Sequence, residues 1–194
     1  MIEAADYRLP PTVSTEALTD GGSDTRFRQM VYDLLTVSLR MEKVREALAK
    51  TLGVTSPQYS ILMAIARQEG AEGVQVNLVA NQLHVTGPFV TVEAGKLVRR
   101  GLVEKRRNPS DARSVLLRLS SEGERRLTAL APAVCAVNDR FFGALDRAEF
   151  LNLARIAAVL VRDSDAAVAI ARKAAAGEMT PSPTAPEESV SDQL

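Results

Sequence analysis

The chain of 194 residues contains one cysteine, one histidine, no tryptophan and only eight other aromatic residues. A single cysteine excludes a disulfide framework within the chain. One histidine and one cysteine cannot assemble a conventional metal-ligand set, so no metal and no cofactor is expected. No apolar run approaches the roughly 20 residues needed to cross a bilayer, which predicts no membrane partner. The first 24 residues lack the basic and apolar segments of a secretory signal, so the cytoplasm is the expected compartment. No nucleophile beside a base and no phosphate-binding glycine loop is present, and catalysis is not expected.

Net charge is also absent, with 24 basic and 24 acidic side chains, but the balance hides a local surplus. Between Lys96 and Arg126 ten bases stand against four acids, an electrostatic footprint suited to phosphates. The same stretch, GLVEKRRNPSDARSVLLRLSSEG from Gly101 to Gly123, reads as a β-hairpin. Two strand-like runs, 102–107 and 114–119, flank the turn residues Asn108, Pro109, Ser110 and Asp111.

Elsewhere the apolar period is helical. Phe27, Met30, Val31, Leu34, Leu35, Met41, Val44, Leu48 and Leu52 predict one long amphipathic helix over 25–52, ended by Gly53. Ser56 before Pro57 predicts a cap and a second helix to about Glu69. Val74 to Val76 is long enough for one short strand beside the hairpin. Asn77 is the expected cap of a short helix to Leu83, and Thr86 caps the next, from Gly87 to Arg100. Two short helices followed by a basic hairpin form the pattern of a winged helix-turn-helix, in which the second helix lies in a DNA major groove. Its first turns carry Thr86, Gly87, Pro88, Phe89, Thr91 and Val92, with no arginine, asparagine or glutamine. Phe89, Thr91 or Val92 can meet thymine methyl groups, and Thr86 a phosphate; Phe89 and Val92 fit equally well as core.

Beyond the hairpin, Ser120 or Ser121 caps a long helix, and Ser121-x-x-Glu124 has capping-box spacing. Its apolar series runs through Pro132, where a kink is expected. Asp146-x-x-Glu149 caps a last helix that continues or restarts through Ala176. The expected fold is mainly α with a small β-wing: a winged helix-turn-helix over 53–119, with long terminal helices over 25–52 and 120–176 forming a dimerisation region. Those helices carry more apolar surface than a small domain can cover, which points to a second copy. The ends, 1–24 and 177–194, read as disordered tails, the latter with three prolines, four acids and no base.

The order of elements and the wing motifs resemble the MarR-type transcriptional regulators over about residues 26–163. The specific part is Gly101-Leu102-Val103, then Asn108-Pro109-Ser110-Asp111-Ala112-Arg113, then Leu119-Ser120-Ser121-Glu122-Gly123. The resemblance implies that Arg113 is a wing-tip arginine entering the minor groove and that Asp111 anchors the wing by pairing with a nearby base; Lys96, Arg106 and Arg107 complete the expected DNA contacts. The chain departs from the family pattern at Ala112 and Lys105, where arginine is frequent, and at Val92 and Gly95, where polar residues are often found. The resemblance further implies a homodimer on an inverted-repeat operator in double-stranded DNA. It also implies repression released by a small aromatic acid, a phenol or an aromatic CoA thioester.

Met41, Arg45, Tyr59 and Met63 lie on the two helices that would line the ligand cleft, where Arg45 can hold a carboxylate or phosphate. The methionines fit helix core better than a ligand box, and Arg45 also fits a surface position. His84 is expected as a turn residue touching a phosphate, and Cys135 as a buried, inert thiol. The competing reading is a winged-helix architectural or protein-binding module without ligand response.

Overall fold

The computed structural model describes residues 9–178 apart from Glu69 and Ala71, with the backbone but not the side chains of Ala112 and Arg113. Among these residues the order is α1 (Thr25–Thr51), α2 (Ser56–Gln68), β1 (Val74–Gln75), α3 (Val76–Gln82), α4 (Gly87–Arg99), β2 (Val103–Asn108), β3 (Asp111–Leu119), α5 (Ser121–Phe142) and α6 (Arg147–Ala175). The chain divides into two compact units, 1–138 and 139–194. No helix among the described residues is long and apolar enough to cross a membrane.

The core of the first unit follows from the apolar period. Ile61, Leu62 and Ile65 of α2, Val79 of α3 and Leu97 of α4 are fully buried with Leu102 and Val103 at the hairpin base and Leu117 of β3. On α4 the buried residues Val90, Ala94 and Leu97 recur at four and three, which fixes one face inward and leaves the opposite face free. Each large side chain so buried contributes about 1.5–3 kcal/mol. The strands form an antiparallel sheet in the order β1-β3-β2, with Val74 opposite Leu117 and Lys105 opposite the same Leu117 on the other side. β1 is therefore the third strand of the wing.

Several boundaries differ from the sequence reading, each for a local reason. β1 ends at Gln75, and the chain turns directly into α3 at Val76 without a side-chain cap. Asn77 sits inside α3, its Oδ1 accepting the Leu78 N–H at 2.9 Å. The cap of α2 is Thr55 rather than Ser56. Its carbonyl accepts the Tyr59 N–H at 2.9 Å, and its Oγ1 accepts the Gln58 N–H at 3.4 Å. The Ser56 hydroxyl is diverted to Glu42 Oε1 at 2.5 Å.

Ser120, not Ser121, caps α5, because its N–H donates to the Leu102 carbonyl at 3.1 Å and its hydroxyl accepts from Gly123 N–H at 3.0 Å. The residue three beyond this cap is thus Gly123, and the Ser121–Glu124 spacing does not make the box. The α6 box is formed as read: Asp146 Oδ1 accepts the Glu149 N–H at 2.8 Å, and Glu149 Oε2 accepts the Asp146 N–H at 2.9 Å. α6 is one continuous helix of 29 residues, with none of them buried.

Residues 9–24, read as part of a tail, instead carry a helical turn at Glu16–Leu18 and fold back on the start of α1. Asp24 holds this strap. Its carboxylate accepts the Thr12 N–H at 2.7 Å, the Thr12 hydroxyl at 2.8 Å and the Arg28 guanidinium at 2.6 Å. Cys135 is exposed rather than buried, since the apolar stripe of α5 runs through Leu127, Leu130 and Val134 and the next residue turns away from it. The expected tail 1–24 lies outside the described residues up to residue 8, as does the acidic tail from residue 179.

Candidate nucleic-acid interface

Thr86 caps α4 as its position suggests, its Oγ1 accepting the Phe89 N–H at 3.4 Å, with Pro88 in the first turn. The connection from α3 is tight. His84 adopts φ 50°, in the left-handed region that histidine tolerates better than most residues, and Val85 N–H donates to the Ala80 carbonyl at 3.0 Å. With Val90, Ala94 and Leu97 buried, the outward face presents Thr86, Pro88, Phe89, Thr91 and Val92, with Gly87 half-buried. Phe89 is 40% exposed and Val92 58%, so neither belongs to the core of the chain.

Glu93 and Lys96, further along α4, are already engaged. Glu93 accepts from Gln58 Nε2 at 2.9 Å and from Lys96 Nζ at 2.5 Å. The Lys96 ammonium, followed by the Gln58 amide, holds the Glu93 carboxyl below its ordinary range. Lys96, expected on DNA, is paired with Glu93 on its own helix and remains part-exposed. The Thr91 hydroxyl donates to the Gly87 carbonyl at 3.0 Å.

On the wing, Lys105, Arg106 and Arg107 are exposed, and Arg106 pairs with Glu104 at 3.1 Å. Such an exposed pair is worth little and leaves the arginine exchangeable onto a phosphate. The turn is organised by Asn108, which is only 7% exposed. Its Nδ2 donates to Ser114 Oγ at 2.8 Å, and its Oδ1 accepts the Ser110 N–H at 2.9 Å. This draws Asp111 into register opposite Asn108, so β3 starts three residues earlier than the apolar pattern indicates. Asp111 is exposed at that start, while the Arg113 side chain lies outside the described residues.

Between α4 and the wing runs a groove of about 750 Å³, lined by Pro88, Thr91, Val92, Lys105, Asp111 and Val115 among others. Further along α4, a β-carbon on Gly95 would stand 3.8 Å from Arg99 Nη1 and 3.9 Å from Lys105 Nζ. Two cations from different elements therefore flank a residue without a side chain. Arg99, Lys105 and Asn108 are not among the DNA contacts expected from sequence. The glycine in mid-helix was the available signal, although a β-carbon at these distances would make only ordinary contacts with the two cations.

A second cavity, of about 330 Å³, is lined by Arg45, Tyr59, Ser60, Met63, Arg67 and Gln82 among others. Three of the four expected cleft residues meet there. Met41 is exposed on α1 and outside this lining. Arg45 Nη1 donates to Ser60 Oγ at 3.3 Å and Nη2 lies 3.4 Å from Glu42 Oε2. Burial pushes the Tyr59 phenol up, partly offset by the Arg45 charge. Gln82 Oε1 is buried without a hydrogen-bond partner. A neighbouring cavity of about 200 Å³ shares Arg45, Ser60 and Leu83 and reaches Phe89.

A capped helix with a free outward face, a tight turn before it and a cationic three-stranded wing beside it define a winged helix-turn-helix protein that binds DNA. A model of the MarR family matches residues 52–114. The transcriptional regulator HosA of Escherichia coli O111:H- is 33% identical over 105 residues, covering 53% of this chain and 76% of that protein. The chain belongs to the MarR family of transcriptional regulators. The crystal structure of the PcaV transcriptional regulator from Streptomyces coelicolor, in complex with its natural ligand, matches with TM-score 0.51 and 29% identity over 67% of this chain and 90% of that one. CouR from Rhodococcus jostii RHA1, bound to p-coumaroyl-CoA, matches with TM-score 0.60 and 23% identity over 68% and 90% of the two chains.

Proposed function

We propose that this chain is a homodimeric repressor whose hold on an inverted-repeat operator is released by a small anionic aromatic compound or its CoA thioester. The carrying observation is the pair of cavities meeting at Arg45. One is lined by Arg45, Arg67 and Tyr59, and the other reaches Phe89 in the first turn of α4. Two guanidinium groups suit a carboxylate or phosphate, Tyr59 and Met63 suit a ring, and an occupant touching Phe89 acts directly on the helix proposed to read DNA. CouR bound to p-coumaroyl-CoA supports the thioester as one candidate class.

Dimerisation is supported by what α1 and α6 leave uncovered. Tyr32, Leu35 and Leu39 on α1 are all more than half exposed, and Phe150, Leu153, Leu160 and Val161 of α6 are all exposed. Apolar series of this extent are covered in stable proteins, and a second copy is the occupant a DNA inverted repeat requires.

The test is calorimetry of aromatic acids and their CoA thioesters against the full chain, with and without operator DNA. Binding and release are reciprocal, so operator must weaken the ligand by the factor by which ligand weakens operator. Equal ligand affinity in both titrations contradicts ligand-controlled repression. Indifference to every compound favours the architectural reading.

A further inference from the structure

The outward face of α4 is unusual for a surface that reads base edges, because what it offers is carbon. Pro88, Thr91 and Val92 line the groove facing the wing, and Val92 is more exposed than Phe89. Each hydrogen-bonding side chain at neighbouring positions already makes one bond within the protein, and the capacity left on the two threonine hydroxyls cannot form the bidentate pattern that fixes a base. The Thr91 hydroxyl donates to the Gly87 carbonyl, Thr86 Oγ1 accepts the Phe89 N–H, and Glu93 is held between Gln58 and Lys96. Gly95 contributes no side chain. The cations Arg99 and Lys105 converge beside Gly95, two turns beyond Pro88, where they suit backbone phosphates, which carry no sequence information directly.

In the major groove only one base-edge feature is apolar, the C5-methyl group of thymine. We propose that the chain reads its operator half-site through thymine methyl groups packed against Val92 and Pro88, rather than through hydrogen bonds from side chains to bases. The two residues are four apart on one helix and so neighbours at roughly 5–6 Å. With base steps of about 3.4 Å along each strand, they meet methyl groups one or two steps apart. This inference rests on α4 being the helix that occupies the major groove.

The experiment starts from a duplex enriched by the full chain from a random-sequence pool, with half-sites located by footprinting. Each thymine in a half-site is then replaced singly by deoxyuridine, which keeps every Watson–Crick hydrogen bond and removes only the methyl group. Binding is followed by fluorescence anisotropy. One or two positions per half-site should weaken binding by about three- to fivefold, the loss expected for one methyl-sized apolar contact.

In Val92→Ala, a change at an exposed position, the thymine duplex should bind as weakly as the deoxyuridine one does to the native chain, and the difference between the duplexes should vanish at the Val92 position. Unchanged affinity at every thymine overturns the proposal. So does a loss that persists undiminished in both Val92→Ala and Pro88→Ala. If Val92→Ala binds the parent duplex like the native chain while Lys105→Ala weakens it, the placement of α4 in the groove is wrong. Failure to enrich any duplex would overturn DNA binding itself.

Discussion

Gly123 in the first turn of α5 lies so close to the backbone of Leu102 that a β-carbon on it would overlap the Leu102 carbonyl oxygen. The same carbonyl accepts the Ser120 N–H, and the Ser120 hydroxyl donates to the Gly101 carbonyl at 2.5 Å. The base of the wing is therefore clamped to the start of α5 by backbone contact, and the absence of a side chain at Gly123 is what admits it.

Gly123→Ala pits two effects against each other. Alanine favours a helix interior by about 1 kcal/mol over glycine. Against this, overlap with a carbonyl oxygen cannot be relieved by a rotamer change, and overpacking of this kind costs about 1–3 kcal/mol. The overlap should win, lowering the denaturation midpoint in urea. A midpoint equal to or above that of the native chain would show that α5 does not bear on Leu102.

Asn108→Ala removes both hydrogen bonds that close the wing turn, each worth about 0.5–1.5 kcal/mol. The damage is confined to the hairpin tip, so thermal stability should fall modestly. Operator affinity should fall more clearly, by about three- to tenfold, because the wing cations lose their placement. Native affinity in this variant would mean that the wing turn does not position any DNA contact.

The strap pinned by Asp24 should be visible in acid. Hydrogen bonds from Arg28, then from the Thr12 amide, hold the Asp24 carboxyl well below its ordinary value of 3.8. A carboxylate depressed in the folded state adds stability above its unfolded pKa and loses it as pH falls through the folded value. The native chain should therefore exceed Asp24→Asn in stability at pH 6. That advantage should begin to shrink as pH falls through about 4 and continue to shrink at lower pH. Urea denaturation of both proteins across that range measures it, and a difference independent of pH would contradict the assignment.

Much of this architecture was legible because its signals are local. The 3–4 period of α1, the Asp146–Glu149 box and the Thr86 cap depend on neighbours within a few residues, and all three are formed. The errors share a different cause. Thr55 displaces Ser56 as a cap because Glu42, fourteen residues away, takes the Ser56 hydroxyl; between Ser120 and Ser121, both open in the sequence, contacts to Gly101 and Leu102 across the hairpin select Ser120. The site shows the same division. A basic hairpin can be counted from sequence, but the bond from Gln58 of α2 to Glu93 and the meeting of Arg99 with Lys105 beside Gly95 each join separate elements.

The central claim, that α4 and the wing form the DNA-binding surface, is tested most directly by the salt dependence of operator binding in native chain, Lys105→Ala and Arg113→Ala. Each phosphate contact contributes about 0.9 to the slope of log affinity against log salt. Lys105→Ala should reduce the slope by about one, and Arg113→Ala should weaken binding by about 1–3 kcal/mol through loss of a groove contact. Affinities and slopes identical to the native chain in both variants would contradict the claim.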